Sequence, residues 1–407
     1  MYFNCLLLGL ATLPSLINAA FPNAPFVTSG QWIHDSAGSN FTYVGVNWPG
    51  AADVMIPEGL QYQSIANIVS KIKSLKMNVV RLTFAIEMVD DIKDNGGDVT
   101  VQKAFTKALG ATNGEKVWQQ VLKNNPTFST STTRVQVFDA VASELSKQGI
   151  YVHLDNHMSK GAWCCGGSDG NAWFGDQYFD ATKWKRGVTW IAEHGKSWPN
   201  LVSIGLRNEF RKPDSTGSSL AYTWSVWYDQ VIAAANSVNA ANPNILIFLS
   251  GLDYDTKVTP LPYADDLGSG KKFRLTDYKY ANKLVLELHN YQNSATDCGS
   301  MEGGLWDNGF RATGEKATNR MPVVLTEFGF SQSGTDYTKT YATCIKKLMP
   351  QWKTGWTVWV LSGSYYIRSG TQDFDESWGL LNKQWSDWRS SAAIGALKEM
   401  IDASLKG

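Results

Sequence analysis

The sequence predicts a (β/α)8 barrel with extended loops at the C-terminal face of its strands. Three observations carry that expectation. Short apolar runs recur eight times along the chain, most of them separated by stretches of helical periodicity. Alternation of this kind implies parallel strands joined by right-handed crossovers. Polar residues fall repeatedly at the C-terminal ends of the apolar runs, the end at which barrels build their sites. Finally, two runs end in glutamate: Leu201 to Leu206 leads into Arg207-Asn208-Glu209, and Pro322 to Thr326 leads into Glu327-Phe328-Gly329. A carboxylate buried unpaired at such a place costs several kcal/mol, so a paired-carboxylate site competes here with ordinary structural ion pairing.

Taken in order, residues 21–40 read as an irregular lead-in able to cap one end of a barrel. Tyr43 to Asn47 is a strand, followed by Trp48. Ile65, Ile68, Val69, Ile72 and Leu75 mark a helix over 61–76, and Asn78 to Phe84 is the second strand. Residues 87–132 form a long excursion with Asp/Gly turn signals and a helical patch near 116–123; loops of that length are usually functional or lids. A helix over 135–147 precedes the strand 150–155, which ends in Asn156-His157. A loop rich in Gly, Cys, Trp and Phe spans 161–179, and a helix over 182–194 leads to the strand ending at Glu209. Helix 220–241, strand 244–249 and strand 283–288 follow, the last ending in His289-Asn290-Tyr291. After Glu327 come helix 337–348, strand 355–361 and a closing helix over 386–403.

The chain has 407 residues with 37 basic and 37 acidic side chains, so no surplus of charge points to nucleic acid or an anionic membrane. A neutral ligand fits better. Seventeen tryptophans exceed what a core needs, and indole faces stack on sugar rings. Residues 1–20 carry no charge and contain the apolar run Leu6 to Leu13 before Ala19-Ala20, which resembles a secretory signal without its positive start. We therefore expect an extracellular protein, a single domain over 21–407, and glycosylation at Asn40. A monomer is expected. Removal of Cys5 with the signal leaves four cysteines in an oxidising compartment. Cys298–Cys344 together with a vicinal Cys164–Cys165 pair is weighed against bridges between the two pairs.

No phosphate loop follows any strand, and Gly268-Ser269-Gly270-Lys271-Lys272 lacks the required spacing. No Gly-x-Ser-x-Gly elbow is present. His153 and His157 share a strand face, but no third ligand has metal-site spacing; no metal and no cofactor are expected, and His153 reads as a hydrogen-bonded barrel residue. Trp48, Trp163, Trp173, Trp306 and Trp378 all follow strands, each balanced between sugar stacking and loop packing.

Arg81, His157, Asn208, Glu209, His289, Tyr291, Glu327 and Trp359, at strand ends in this order, resemble glycoside hydrolase family 5 over roughly residues 40 to 380. The resemblance implies a retaining mechanism. Glu209 takes the acid/base position, Glu327 that of the nucleophile, and Asn208 that of a partner for the sugar 2-hydroxyl. Arg81, His157, His289, Tyr291 and Trp359 take supporting or substrate-binding positions, and Trp48 is a further candidate sugar contact. Retaining enzymes hold their two carboxyl groups about 5–5.5 Å apart, and the charge of Glu327 is expected to help keep Glu209 protonated. The implied activity is hydrolysis of β-linked oligo- or polysaccharide, an endo-β-1,4-glucanase first. Alternatives are an exo-acting β-glucosidase or diglycosidase, a β-mannanase, and, from another class, an inactive sugar-binding barrel. Phe210 stands where many family cellulases have proline, and the Trp163-Cys164-Cys165 loop is similar to a plant and fungal branch of the family.

Overall fold

Eight parallel strands close on themselves in the computed structural model, which describes residues 23–214 and 219–406. The expected signal segment therefore lies outside the described residues. A small hairpin, β1 (Val27–Ser29) and β2 (Trp32–His34), comes first. The barrel strands are β3 (Val44–Trp48), β4 (Val79–Ala85), β5 (Tyr151–Met158), β6 (Leu201–Gly205), β7 (Leu246–Leu249), β8 (Leu284–Asn290), β9 (Val323–Phe328) and β10 (Trp356–Val358). Neighbours follow chain order, and β10 pairs with both β9 and β3, which removes every free edge. The register sets Asn47 beside Arg81 and His289 beside Glu327, so pairing itself brings distant polar residues together.

The helices pack outside because each carries one apolar stripe. In α1 (Ile65–Ser74) the stripe is Ile65, Ile68, Val69 and Ile72, and the Ser64 side chain caps the first turn by accepting from the Asn67 amide. The others are α2 (Ile86–Asp94), α3 (Val101–Leu109), α4 (Ala111–Asn124), α5 (Arg134–Lys147), α6 (Ala181–His194), α7 (Trp224–Ala241), α8 (Cys298–Asn308), α9 (Thr340–Gln351) and α10 (Ser391–Ser404). Among the described residues no helix is long and apolar enough to cross a membrane.

The lead-in caps the N-terminal end of the strands. Phe26 packs on Phe41 with ring centres 4.4 Å apart, and Phe41 meets Tyr43 at 5.4 Å and Tyr151 at 5.1 Å. The Lys283 ammonium donates to the Phe26 carbonyl at 2.6 Å and fastens this plug.

The excursion over 87–132 differs from the expected loop: it is three helices, α2, α3 and α4. Thr100 caps α3, whose buried face is Val101, Ala104, Phe105 and Leu109. Gly114 lets α4 lie on α3, since a Cβ there would stand 2.6 Å from the Phe105 carbonyl oxygen. A second feature absent from the sequence expectation is the hairpin β11 (Ser364–Arg368) and β12 (Thr371–Asp375) after the last barrel strand. It rests on the loop after β3 and on the excursion. The Tyr366 amide donates to Glu58 at 2.7 Å, the Tyr366 ring meets Phe105 edge-on at 4.8 Å, and Gln372 donates to the Leu109 carbonyl at 3.1 Å. Cys298 pairs with Cys344, joining α8 to α9, and Cys164 pairs with Cys165.

Candidate active site

Arg81 is the hub beneath the mouth of the barrel. Its side chain is fully buried on β4, where one guanidinium nitrogen donates to Glu327 Oε1 at 2.6 Å and to Asn47 Oδ1 at 2.9 Å. The other donates to Asn208 Oδ1 at 2.9 Å and pairs with Asp155 Oδ1 at 2.8 Å. A fixed fork of donors suits this work better than the single ammonium of lysine. Glu327 receives a second donor on its other side, the Tyr291 hydroxyl, at 2.8 Å from Oε2.

Glu209 lies just past β6 with φ +47°, a left-handed conformation that costs a non-glycine residue about 1–2 kcal/mol. Neighbouring bonds hold it there: the Asn208 amide donates to the Asn156 carbonyl at 2.9 Å, and Arg211 donates to the Glu209 carbonyl at 3.0 Å. The strained turn aims the carboxyl at His289, whose Nδ1 is 3.0 Å from Glu209 Oε1 and 3.6 Å from Glu327 Oε2. An oxygen of each glutamate lies within 4.8 Å of the other. Burial is the main reason that Glu209 is pushed up to about 7, with Asp155 adding to the rise and His157, Arg211 and Arg81 opposing it. Burial likewise pulls His289 down to about 4, so its ring is neutral at pH 7.

The rest of the mouth follows from β5 and β10. His157 Nδ1 meets Asp155 Oδ2 at 2.7 Å, and its ring stacks on Trp359 at 5.4 Å with planes 5° apart. Burial outweighed by Arg81 and His157 leaves Asp155 lowered to about 2. Since Asn208 Oδ1 faces Arg81, its Nδ2 turns to the sulfurs of Cys164 and Cys165, 3.6 Å from each. Eight side chains named from the sequence thus converge here, with Arg81 and His289 forming the floor.

A family model for cellulase, glycosyl hydrolase family 5, matches residues 35–364. The chain belongs to glycoside hydrolase family 5. A glycosyl hydrolase 5 family protein of Chamaecyparis obtusa is 33% identical over 404 residues, which cover 96% of this chain and 68% of that one. An endoglucanase of Paenibacillus polymyxa is 22% identical over 78% of this chain and 74% of its own. Among known structures, the endocellulase of the archaeon Pyrococcus horikoshii shares the fold with a TM-score of 0.67 at 16% identity, covering 93% of this chain and 99% of that one. The catalytic domain of the major endoglucanase of Xanthomonas campestris gives 0.65 at 17%, covering 92% and 99%. As a family 5 member, the protein is a glycoside hydrolase of the retaining kind.

Several tryptophans of this family 5 hydrolase do not face the mouth. Trp48 is a correction: it is fully buried outside the barrel wall, its Nε1 donates to the Glu58 carbonyl at 3.0 Å, and its ring packs near Trp385. Trp173 is also fully buried, and Trp306 lies on α8 against Trp352, away from the cleft. Trp163 and Trp378 do line it. Phe210 has a structural reason: it is buried among Trp173, Phe174, Phe179 and Trp184, and this cluster anchors the base of the cysteine loop. His153 is a barrel-interior residue whose Nδ1 is 2.8 Å from Ser203 Oγ. Sequence reasoning missed Asp155 as a site residue. Its signal was the alternation His153, Asp155, His157, three ionisable residues on one face of the strand.

Proposed function

We propose that this protein hydrolyses β-linked glucans or glucosides by double displacement, with Glu327 as nucleophile and Glu209 as acid/base. The single observation that carries the assignment is the approach of the two carboxyl groups to within 4.8 Å of each other across His289. Close approach of this kind fits the short spacing of retaining sites. The difference in surroundings supports the division of roles. Arg81 and Tyr291 donate to Glu327, the pattern a carboxylate nucleophile needs, while burial keeps Glu209 protonated up to about 7. In the first step Glu327 attacks the anomeric carbon as Glu209 gives its proton to the departing oxygen. In the second, the Glu209 carboxylate takes a proton from water, which attacks the same carbon and frees Glu327. Asn208 Nδ2 is oriented for the sugar 2-hydroxyl, and Trp359 offers its face beneath the ring.

Glucan as the substrate class is supported by relatives described as endoglucanase and endocellulase, one of which is known in complex with cellotetraose. The apolar segment Leu6 to Leu13 and the two cysteine pairs support a secreted enzyme. The test is a panel of β-1,4-glucan, β-1,3-glucan, β-mannan and aryl β-glucosides, with the anomer of the first product read by NMR. Sugar released from the glucans or glucosides with the β-configuration is expected. The α-anomer overturns double displacement, and no hydrolysis of any of them overturns the reading altogether.

The pH profile follows from Glu209. On substrates with poor leaving groups, kcat/KM should fall about tenfold per pH unit above roughly pH 7, because the proton donor is then ionised. Formation of the glycosyl-enzyme from an activated aryl glucoside needs no proton, and its alkaline limb should be absent. An identical limb for both leaving groups would assign the titration elsewhere.

A further inference from the structure

The mouth holds two chambers that share Trp163, Cys165, Glu209, Tyr291 and Trp359 in their linings. The inner one, about 150 Å³, touches both Glu209 and Glu327 and ends against Ala51, Ala52, Thr83 and Tyr365. The outer one, about 550 Å³, touches Glu209 and opens between Tyr254, Thr256 and Trp378; Glu327 is not part of its lining. A sugar whose anomeric carbon meets Glu327 therefore sits in the inner chamber. The leaving group has to meet only Glu209, and sits in the outer one. A cavity of about 150 Å³ is large enough for one six-membered ring such as benzene. The outer chamber is several times larger.

One side of the inner chamber is walled by Trp163 and Tyr365, which a clasp holds from the side of the outer chamber. Trp163, from the loop after β5, meets Tyr365 of β11 edge-on at 5.0 Å, and the Arg368 guanidinium lies 3.6 Å over the Trp163 ring. Arg368 is fixed in turn by Glu376 at 2.5 Å and by the face of Phe374 at 4.6 Å. These segments follow the third and eighth barrel strands, so their contact passes over the mouth above β3 and β4, the first and second. Behind the clasp the hairpin is tied down again. Tyr62 donates to Asp373 at 2.9 Å, and Asn113 of α4 donates to Gln372 at 2.9 Å. The helices α3 and α4 and the loop after β3 thereby stand behind the hairpin, around a hollow of about 220 Å³ lined by Tyr62, Asn113, Gln372 and Asp373.

We propose that the enzyme is exo-acting: it takes the non-reducing terminal sugar of a β-glucan chain or a β-glucoside into the inner chamber and releases one unit at a time, with a leaving group of variable length outside. The proposal rests on the reading of Glu209 and Glu327 given above and differs from it in the mode of attack. Trp163 and Tyr365 are its specificity-determining residues, and Arg368 positions Trp163.

The probes are β-1,4-glucohexaose and its β-1,3 isomer, each labelled at the reducing end. At low conversion by the unmodified enzyme, free glucose should exceed every longer unlabelled product by about tenfold or more, the ratio that about 1.4 kcal/mol of exclusion gives. Labelled pentaose should be the first labelled product. Unlabelled di- or trisaccharide in amounts comparable to glucose, with aryl β-glucosides turned over, overturns the exo assignment and leaves the hydrolase reading intact. No turnover of any β-glycoside overturns both. Folded Tyr365→Ala should raise the share of unlabelled di- and trisaccharide, and an unchanged ratio overturns the assignment of the closure to the Trp163–Tyr365 wall. If that variant does not fold, the product ratio of the unmodified enzyme still decides the mode.

Discussion

Glu327→Ala is expected to lower turnover of every β-glycoside by roughly 10⁵-fold or more, because a displaced nucleophile removes the first chemical step whatever the leaving group. Glu209→Ala should behave differently. An activated aryl glucoside still forms the glycosyl-enzyme, but water then attacks slowly without a general base. Azide needs no base, so it should restore turnover of Glu209→Ala and give the β-glycosyl azide. The same anion should not rescue Glu327→Ala by that route; direct attack there would give the α-azide. An α-azide from Glu209→Ala would mean that the two roles are exchanged. The environments argue against exchange, since Glu327 is the one held between a guanidinium and a phenol.

The second large effect is on Arg81. Arg81→Met should lower the unfolding free energy by about 3–5 kcal/mol, as expected when one member of a buried charge cluster is removed and the others stay. Asp155 and Glu327 would then keep their burial and lose their guanidinium partner. The loss should depend on pH with a definite sign. Burial raises Asp155 while Arg81 and His157 lower it, for a net fall from 3.8 to about 2 in the folded protein. A depressed carboxyl contributes stability that is present above the unfolded value and lost as pH falls through the folded one. The gap between Arg81→Met and the unmodified protein should therefore narrow between about pH 4 and about pH 2. Urea unfolding at several pH values measures it. A gap that is constant or widens toward low pH would show that Asp155 does not carry the coupling.

Much of this fold was legible because a parallel barrel buries both faces of its strands. Val79, Val80, Leu82 and Phe84 on β4, or Leu284, Val285, Leu286 and Leu288 on β8, leave little choice of structure. The excursion was less legible because Gly96-Gly97 and Gly110 read as turns and break the periodicity of α2, α3 and α4 into pieces. Helix α8 was hidden for a similar reason: Gly299, Gly303 and Gly304 dilute its apolar face to Met301 and Leu305. At the site, chemistry-bearing residue types at strand ends were easy to see. Which way a side chain points was harder. Asn47 turns inward to Arg81, so Trp48, the next residue on a strand, must turn outward into the helical layer. That alternation was present in the sequence, but it needed Asn47 to be recognised first as an inward residue. The hairpin β11–β12 had no such signal. Its second strand is largely exposed, and its place is set by partners such as Glu58, Phe105 and Leu109, more than 250 residues earlier in the chain.

If the enzyme is exo-acting as proposed, the contact between that hairpin and Trp163 also sets the order of traffic through it. A room with one doorway empties in reverse order of filling. The leaving group, nearest the door, departs first, while the sugar stays behind on Glu327. Whatever enters next stands where the departing group stood, so an alcohol or a second sugar reaches the waiting anomeric carbon by the same path as water. When water attacks, the freed sugar goes out last; when an alcohol or a second sugar attacks, the two leave joined. Transfer to acceptors and retention of the product are thus two expected consequences of the proposed closure over β3 and β4.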